Sequence, residues 1–407
     1  MFAMYNAFAV LDIGTSKVIC MLVQPDDSPA GFSVLGYCLH ECSGLSKGSV
    51  VDIDETVRVV GNAVADVEKQ SGQKIREVVL GMSGHHVSSV SSNGIVGIRS
   101  QEVRQVDVER VVEAAKAVSL PDNQTMLHLL PQEFLVDDQE GVLKPIGMTG
   151  VRLEARVLLI MVSTSSLQNV VKCVESCGLK VRKVVGQQLA SGEAVLSVDE
   201  RDLGVCLLDI GAGTTDVSVY IKRSLSFVSS IAIAGEHVTN DIAVALCTPP
   251  KSAESIKLEY GRILSSGYEG AQTITVESLS NHSTKKVSLK LLAEVIEARY
   301  HEVFVYVKRK LRASQLNGAI PGGIVITGGA SNMSGLLEYA NRVFDCQVRL
   351  AKPQLTLQEG VLTDPRYAVT AGLVLQALQE RDRMGGGRAG TIGRLWKRFQ
   401  YWLDYHL

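Results

Sequence analysis

A short apolar run that ends in Asp-Ile-Gly occurs twice in this chain, near its start and near its middle. The copies are FAVLDIGTSK, residues 8–17, and VCLLDIGAGTTD, residues 205–216. A second β-rich run follows each copy, so both predict a β-hairpin with a tight turn. The two aspartates are 197 positions apart, near half the chain. This spacing predicts two similar domains that each contribute one hairpin to a shared cleft.

The two turns have the composition of a phosphate-binding site, because small residues let backbone N–H groups point at an anion. The predicted phosphate-binding residues are Gly14, Thr15, Ser16, Lys17, Gly211, Ala212, Gly213, Thr214 and Thr215. Asp12 and Asp209 precede the turns and would repel a polyphosphate unless a divalent cation lay between them. We therefore predict that they hold a hydrated Mg²⁺, which binds few protein ligands directly. The alternative for either copy alone is a turn whose aspartate hydrogen-bonds its own backbone.

A third glycine-containing motif, TGGAS at residues 327–331, follows the predicted strand 323–327 and precedes the predicted helix 335–344. Two glycines let a flat base and its ribose lie close to the backbone. We predict that Gly328, Gly329 and Ala330 bind adenosine. The alternative is a plain strand-to-helix turn. Neither GxxxxGK[ST] nor a helix-opening GxGxxG occurs, which excludes a P-loop protein.

Helix and strand patterns alternate between these motifs, as in an α/β protein. A helix over 163–178, a strand over 180–185 and a helix over 187–195 lead to the second hairpin. Residues 81–152, with two short strands and a helix over 106–118 capped by Asp107, form a small inserted subdomain. Helices over 252–262 and 288–311 flank a strand over 273–277 and form a second insertion.

Charge and cysteine content narrow the class of protein. The net charge of −2 argues against a general nucleic-acid binder, since no broad basic field exists. The eight scattered cysteines favour buried thiols in a reducing cytoplasm over disulfides or metal. The first ten residues lack a basic region and are not expected to be a signal peptide. The sequence contains no run of 18 apolar residues, so no membrane span is predicted.

The three motifs, in this order, resemble the phosphate 1, phosphate 2 and adenosine motifs of the superfamily of actin, heat-shock chaperone ATPases and sugar kinases. The stretches MLHLLPQEF at 126–134, TPP at 248–250 and AEVIEARY at 293–300 resemble the FtsA family of bacterial cell-division proteins. The resemblance implies an actin-like two-lobed fold of duplicated ribonuclease-H-like domains, with ATP and Mg²⁺ as cofactors.

The resemblance also implies a division of the chain. Residues 1–82 and 157–197 would form subdomain 1A, with subdomain 1C inserted at 83–156. Residues 198–239 and 304–380 would form subdomain 2A, with subdomain 2B at 240–303. The last helix of 2A would lie either there or back on 1A. A flexible linker at 381–391 would lead to an amphipathic helix at 392–407.

The family implies partners and a catalytic position as well. Subdomain 1C would contact neighbouring protomers in a filament and other division proteins, and 2B would receive the C-terminal peptide of the tubulin-like protein FtsZ. Lys290 and Arg299 are the candidates for contacting this acidic peptide, the alternative being a solvated helix face. Gln187 would orient the attacking water of a weak ATPase. The alternatives are that Gln187 is only a polar helix start, or that the register is displaced by one.

The last sixteen residues predict a membrane-binding amphipathic helix. At 100° per residue the apolar side chains fall within an arc of about 140°; they are Ile392, Leu395, Trp396, Phe399, Trp402, Leu403 and Leu407. Arg394, Lys397 and Arg398 lie opposite and favour anionic lipid. A helix of about 24 Å is too short for a hydrocarbon core of about 30 Å, so it would lie in the interface. The alternative is a terminal helix docked on the protein itself.

These features together predict a cytoplasmic, actin-like ATP-binding protein that polymerises and anchors the FtsZ ring to the inner face of the membrane at midcell. Two alternatives remain from the sequence. A sugar or acetate kinase would need a catalytic base that we do not find. A pilus-assembly scaffold of the same superfamily would bind ATP without affinity for FtsZ.

Overall fold

The computed structural model describes residues 7–26, 31–263, 272–279, 283–316, 318–353 and 363–384. The predicted amphipathic helix at 392–407 and most of the predicted linker lie outside the described residues. Among the described helices, none combines the length and the hydropathy that a bilayer span requires.

The strands, numbered in chain order, are β1 (Phe8–Ile13), β2 (Lys17–Pro25), β3 (Phe32–Glu41), β4 (Leu45–Ser46), β5 (Ser49–Val50), β6 (Glu77–Met82), β7 (Ser88–Gly97), β8 (Gln124–Val136), β9 (Gln139–Val142), β10 (Arg152–Ser163), β11 (Lys180–Gly186), β12 (Val205–Ile210), β13 (Thr215–Ile221), β14 (Ser224–Ile231), β15 (Thr273–Glu277), β16 (Thr284–Ser288), β17 (Ile324–Thr327) and β18 (Val348–Leu350). The helices are α1 (Ile53–Ser71), α2 (Gln105–Lys116), α3 (Thr164–Ser176), α4 (Gln187–Val195), α5 (Val198–Leu203), α6 (Gly235–Ala245), α7 (Pro250–Tyr260), α8 (Leu289–Ala313), α9 (Leu336–Phe344) and α10 (Ala368–Met384).

The first sheet has the strand order β11-β6-β1-β2-β3. One apolar core, with side chains of β1, β2, α1 and α3, covers one face of it. A second core joins the other face to α4 and α10. Gly372 of α10 lies so close to α4 that an added Cβ would be 1.8 Å from the Ala190 carbonyl oxygen. The last described helix therefore packs on the first lobe, one of the two positions that the sequence left open.

The second sheet runs β18-β17-β12-β13-β14-β7-β10-β8-β9. Its first five strands pack with α6, α8 and α9 in the core of the second lobe. Its last four strands pack with α2 and form the inserted region. Within the described residues one ladder pair, Ser229 and Ser88, joins the two parts of this sheet, and the Ser89 side chain adds hydrogen bonds to the backbone of Val228.

The two lobes repeat one strand arrangement. In the first, β1 is antiparallel to β2 and parallel to β6. In the second, β12 is antiparallel to β13 and parallel to β17. Asp12 pairs with Gly81 of β6, and Asp209 pairs with Thr327 of β17, each as the last pair of its parallel ladder. The aspartates thus occupy equivalent places, which fits the predicted duplication, and the predicted α/β fold is confirmed.

Local interactions explain several helix boundaries and correct others. Ser163 caps α3, because its Oγ accepts from the backbone N–H of Ser166. The prediction that Asp107 caps α2 was wrong: the helix begins two residues earlier, and the Asp107 carboxylate instead accepts from the backbone N–H of Arg104 at 3.1 Å. The two short strands predicted after residue 85 are one strand, β7, since its residues pair with β10 from Ser88 to Gly97 without a break.

Candidate nucleotide cleft and helical groove

The two hairpin turns have the same geometry. In the first, the Gly14 N–H donates to the Lys17 carbonyl oxygen at 2.8 Å. In the second, the Gly211 N–H donates to the Thr214 carbonyl oxygen at 2.9 Å. Each bond closes a two-residue loop, Thr15–Ser16 in one lobe and Ala212–Gly213 in the other.

The turns contact each other across the two lobes. A Cβ built on Gly213 would lie 2.4 Å from Thr15 Oγ1, so only glycine fits there without movement. Thr15 Oγ1 also accepts from the backbone N–H of Gly48 at 3.2 Å. The hydroxyl of Thr215, by contrast, donates to the Ile233 carbonyl oxygen and holds the second turn to its own lobe. The structure therefore brings both predicted phosphate-binding turns to one place.

Asp12 lies buried beside side chains from two helices. Its Oδ1 accepts from Gln187 Nε2 of α4 at 2.9 Å, and its Oδ2 accepts from Thr370 Oγ1 of α10 at 3.4 Å. Burial raises the pKa of Asp12, and the nearby Lys17 opposes this shift. Gln187 thus contacts the carboxylate that precedes the first turn.

Asp209 has a carboxylate oxygen that is not satisfied within the described part of the chain. Its Oδ2 is buried and has no hydrogen-bond partner among the described residues. Burial raises its pKa to about 7, and the neighbouring carboxylate of Asp216 adds to the shift. An orphaned carboxylate oxygen on a residue whose pKa the charge of Asp12 also raises suits a divalent cation, since Mg²⁺ prefers oxygen ligands and retains several waters. The residues present therefore fit the predicted metal, which would neutralise charge on a bound polyphosphate.

Lys17 places a cation within reach of the charges of both aspartates. Its pKa is lowered by burial, while the charges of Asp12 and Asp209 act to raise it. Its Nζ donates to the carbonyl oxygen of Arg366 at 2.6 Å and lies 6.0 Å from the centre of the Tyr367 ring. The segment before α10 thereby holds the ammonium group at the first turn.

The predicted adenosine-binding glycines lie against the second hairpin. Gly328 has a φ of 90°, and an added Cβ would lie 2.3 Å from Asp209 Oδ1. The predicted order of strand, glycine motif and helix is present, with the helix over Leu336–Phe344 against the predicted 335–344, and the structure adds one element between them. Residues Gly329–Asn332 first form a 3₁₀ turn, in which Ser331 Oγ donates to the Gly328 carbonyl oxygen. Tyr300 of α8 donates its hydroxyl to the Ala330 carbonyl oxygen at 2.7 Å.

A polar network that the sequence did not predict joins the lobes beneath the cleft. Gln188 Nε2 donates to Ser83 Oγ at 3.0 Å, and Ser83 Oγ donates to Asp216 Oδ2 at 2.6 Å. Ser83 belongs to the first lobe and Asp216 to the second, and all three side chains are buried. The sequence carried one signal for it, an aspartate at the start of the apolar strand TDVSVYI.

A groove of about 410 Å³ lies between α6 and α8 in the second lobe; its lining residues are Asp241, Val244, Ala245, Val295, Ala298, Arg299 and Glu302. Arg299 lies in the groove but is already paired. Its Nε and Nη2 donate to the two carboxylate oxygens of Asp241 at 2.6 and 2.8 Å, and its Nη1 donates to Glu302. Lys290 is nine positions earlier on α8, about 13 Å along the helix, and does not line the groove. The structure does not bring the two predicted peptide-binding cations together.

Comparison with protein families matches residues 206–372 to the family described as "Cell division protein FtsA" and residues 84–161 to the "SHS2 domain inserted in FTSA". The chain is 42% identical to the FtsA protein of Pseudomonas aeruginosa, over 91% of this chain and 89% of that protein. It is 39% identical to FtsA of Escherichia coli K12, over 97% of this chain and 96% of that protein. Identity to FtsA of Bacillus subtilis is 34%, over 94% and 86% of the two chains.

Solved structures with a similar fold are more distant in sequence. The type IV pilus biogenesis complex PilM–PilN contains a chain with a TM-score of 0.66 at 16% identity, covering 92% of this chain and 99% of that one. MreB5 of Spiroplasma citri bound to ADP gives a TM-score of 0.59 at 14% identity, covering 95% and 100%. These likenesses show that the predicted actin-like, two-lobed fold is correct.

Proposed function

The chain belongs to the FtsA family of cell-division proteins, and from this premise we propose that it is an ATP-binding, filament-forming protein that anchors the FtsZ ring to the cytoplasmic membrane. The observation that carries the proposal is the contact of the two hairpin turns, Gly213 against Thr15, with a buried aspartate behind each. Such a pair of turns supplies amide donors to one polyphosphate from both lobes.

ATP with Mg²⁺ is the proposed ligand of the cleft. The described part of the chain offers amides of both turns, the ammonium group of Lys17 and the orphaned oxygen of Asp209. The bound metal would supply the positive charge that two adjacent carboxylates and a triphosphate require. Gln187 is the proposed group that orients a water for slow hydrolysis, because it is held beside Asp12.

The groove between α6 and α8 is the proposed site for the C-terminal peptide of FtsZ. Its floor is apolar, and Arg299 is the cation within it that can bind a peptide carboxylate. Lys290 stays a candidate for the outer end of the peptide, since its side chain is exposed near the start of α8. The resemblance of the inserted region to its family counterpart supports contacts of subdomain 1C with other protomers and with later division proteins.

Attachment to the inner membrane at midcell is proposed through residues 392–407. One amphipathic helix binds anionic lipid weakly and reversibly. A filament presents many such helices at once, so that avidity strengthens the attachment without any new contact. The proposal includes no nucleic-acid partner, because a net charge of −2 gives no broad basic field to bind phosphates.

The decisive experiment measures binding of a fluorescent FtsZ C-terminal peptide to the full chain by anisotropy. We expect saturable binding that Arg299→Glu weakens by about tenfold or more, as for the loss of a charge pair at an interface. Arg58→Glu is the matched control, because Arg58 makes an equivalent two-point ion pair with Glu55 on α1 of the other lobe. Absence of peptide binding would favour the pilus-scaffold alternative.

A further inference from the structure

Helix α6 extends from the second hairpin turn to the groove. Its first two N–H groups donate to that turn: Gly235 N–H to the Gly211 carbonyl oxygen at 3.1 Å, and Glu236 N–H to the Ala212 carbonyl oxygen at 2.8 Å. Its later residues Asp241, Val244 and Ala245 form one wall of the groove. The eleven residues of this helix span about 16 Å, so one short element contacts both proposed ligand sites.

At the cleft end, α6 is bonded to the peptide groups that face a phosphate. The Gly211 carbonyl belongs to the same peptide group as the Ala212 N–H, and the Ala212 carbonyl to the same group as the Gly213 N–H. When such a group donates to a phosphate oxygen, its carbonyl becomes a better acceptor, because hydrogen bonds in a chain polarise one another. Occupation of the cleft therefore strengthens the two bonds that hold α6.

At the groove end, the ion pair between Asp241 and Arg299 joins α6 to α8. Asp241 binds Arg299 at two points, whereas Glu302 lies one turn further along the same helix as Arg299. Two carboxylates already surround this single guanidinium. An acidic peptide can bind Arg299 in the same two-point geometry only by displacing Asp241, and that exchange breaks the ion pair between α6 and α8.

The body of α6 can transmit this exchange because it is packed as one unit. Val238 and Ile242 are buried in the core of the second lobe, one on each side of the Asp241 turn. Thr239 Oγ1 accepts from Lys257 Nζ of α7 at 2.8 Å, and the same ammonium group donates to the Gly235 carbonyl oxygen at 3.2 Å. A displacement of Asp241 thus acts on a helix whose N-terminal end is held in place by these hydrogen bonds.

We propose that ATP and the FtsZ peptide oppose each other through α6, by way of a carboxylate exchange at Arg299. This regulation rests on the function proposed above, since it requires both ligands. ATP holds α6 where Asp241 pairs with Arg299, and the peptide separates that pair. Thermodynamic linkage then requires that the peptide weaken ATP binding by the same factor by which ATP weakens peptide binding.

The test measures peptide affinity of the full chain by anisotropy, without nucleotide and with a saturating non-hydrolysable ATP analogue and Mg²⁺. We expect peptide binding to be about fivefold weaker with the analogue, the lower end of common couplings. Asp241→Asn should bind the peptide more tightly than the wild type, because a competing carboxylate is gone, and its two affinities should agree within about twofold. Asp202→Asn is the control, since Asp202 is another aspartate paired with an arginine: its Oδ2 accepts from both Nε and Nη2 of Arg223.

The outcomes separate the two proposals. If the peptide does not bind in either state, the proposed function fails and this inference with it. If the peptide binds equally with and without the analogue, or more tightly with it, the inference alone fails. If Asp241→Asn keeps the wild-type ratio of peptide affinities without and with the analogue, the coupling does not pass through the Arg299 pair. The proposal is then likewise wrong. Calorimetry of ATP binding without and with saturating peptide must show that the peptide weakens ATP binding by the same factor by which ATP weakens peptide binding.

Discussion

At the scale of single residues, Gly213 of the second turn lies against Thr15 of the first. A Cβ at position 213 would lie within 2.4 to 2.9 Å of three Thr15 side-chain atoms, so Gly213→Ala must push the turns apart. We expect this substitution to weaken ATP binding by about tenfold, the effect of about 1.4 kcal/mol of overpacking. Gly318→Ala is the control, since nothing lies within 4 Å of an added Cβ there. Equal ATP affinity of both variants in calorimetry would contradict the predicted closeness.

The raised pKa of Asp209 gives a prediction about stability and pH. Burial raises the pKa from 3.8 to about 7, so between these values the folded chain binds more protons than the unfolded chain. The free energy of unfolding must then fall as the pH rises from about 4 to about 7, by at most about 4 kcal/mol from this group. Asp209→Asn should flatten that fall in urea denaturation of the nucleotide-free chain. Asp138→Asn, at an exposed position, should leave the fall unchanged. If the free energy of unfolding of Asp209→Asn fell with pH as steeply as that of the wild type, the raised pKa of Asp209 would be refuted.

At the scale of elements, α4 presents two adjacent glutamines to different surroundings. Gln187 contacts Asp12 at the cleft, whereas Gln188 is buried and donates to Ser83. We expect Gln187→Ala to slow ATP hydrolysis by tenfold or more, as for a misplaced catalytic water, with little change in stability. Gln188→Ala should lower stability by about 1–3 kcal/mol, because it leaves buried partners unsatisfied. The reverse pattern, in paired turnover and urea measurements, would mean that the helix register is wrong.

Elements with strong local signals were predictable from the sequence. The bounds 187–195 and 273–277 match α4 and β15 because periodicity, a glycine and flanking turns mark their ends. The cap of α2 was misplaced because an aspartate signal does not show at which residue of the first turn the helix begins. Pairing partners were not predictable either. The Arg299–Asp241 pair joins residues 58 positions apart and arises only when α6 packs on α8.

The residues of the site likewise fall into those that the sequence predicted and those that it did not. The two turns and their aspartates follow from a repeated motif, and the sequence placed them without any knowledge of packing. The bonds among Gln188, Ser83 and Asp216 join three distant segments, and the nearest sequence signal was a charged residue in an apolar strand. Contacts of this kind depend on how the lobes meet, which local patterns do not encode.

At the scale of the whole molecule, membrane attachment depends on the predicted helix at 392–407, outside the described residues. We expect a chain ending at residue 391 to lose co-sedimentation with anionic vesicles, since both tryptophans and three cations of that segment are removed. ATP affinity should stay unchanged, because the cleft residues lie far earlier in the chain. Equal pelleting of the full and the shortened chain would show that another surface binds lipid.

The central claim is that both lobes close upon one metal-bound triphosphate. The most direct measurement is the gain in ATP affinity that Mg²⁺ provides, determined by calorimetry for the wild type, Asp12→Asn, Asp209→Asn and the double variant. Two carboxylates that serve the same ion are coupled, so each single variant should lose most of the gain and the double variant should lose little more. Independent, additive losses, or a single variant that keeps the full gain, would contradict a shared site.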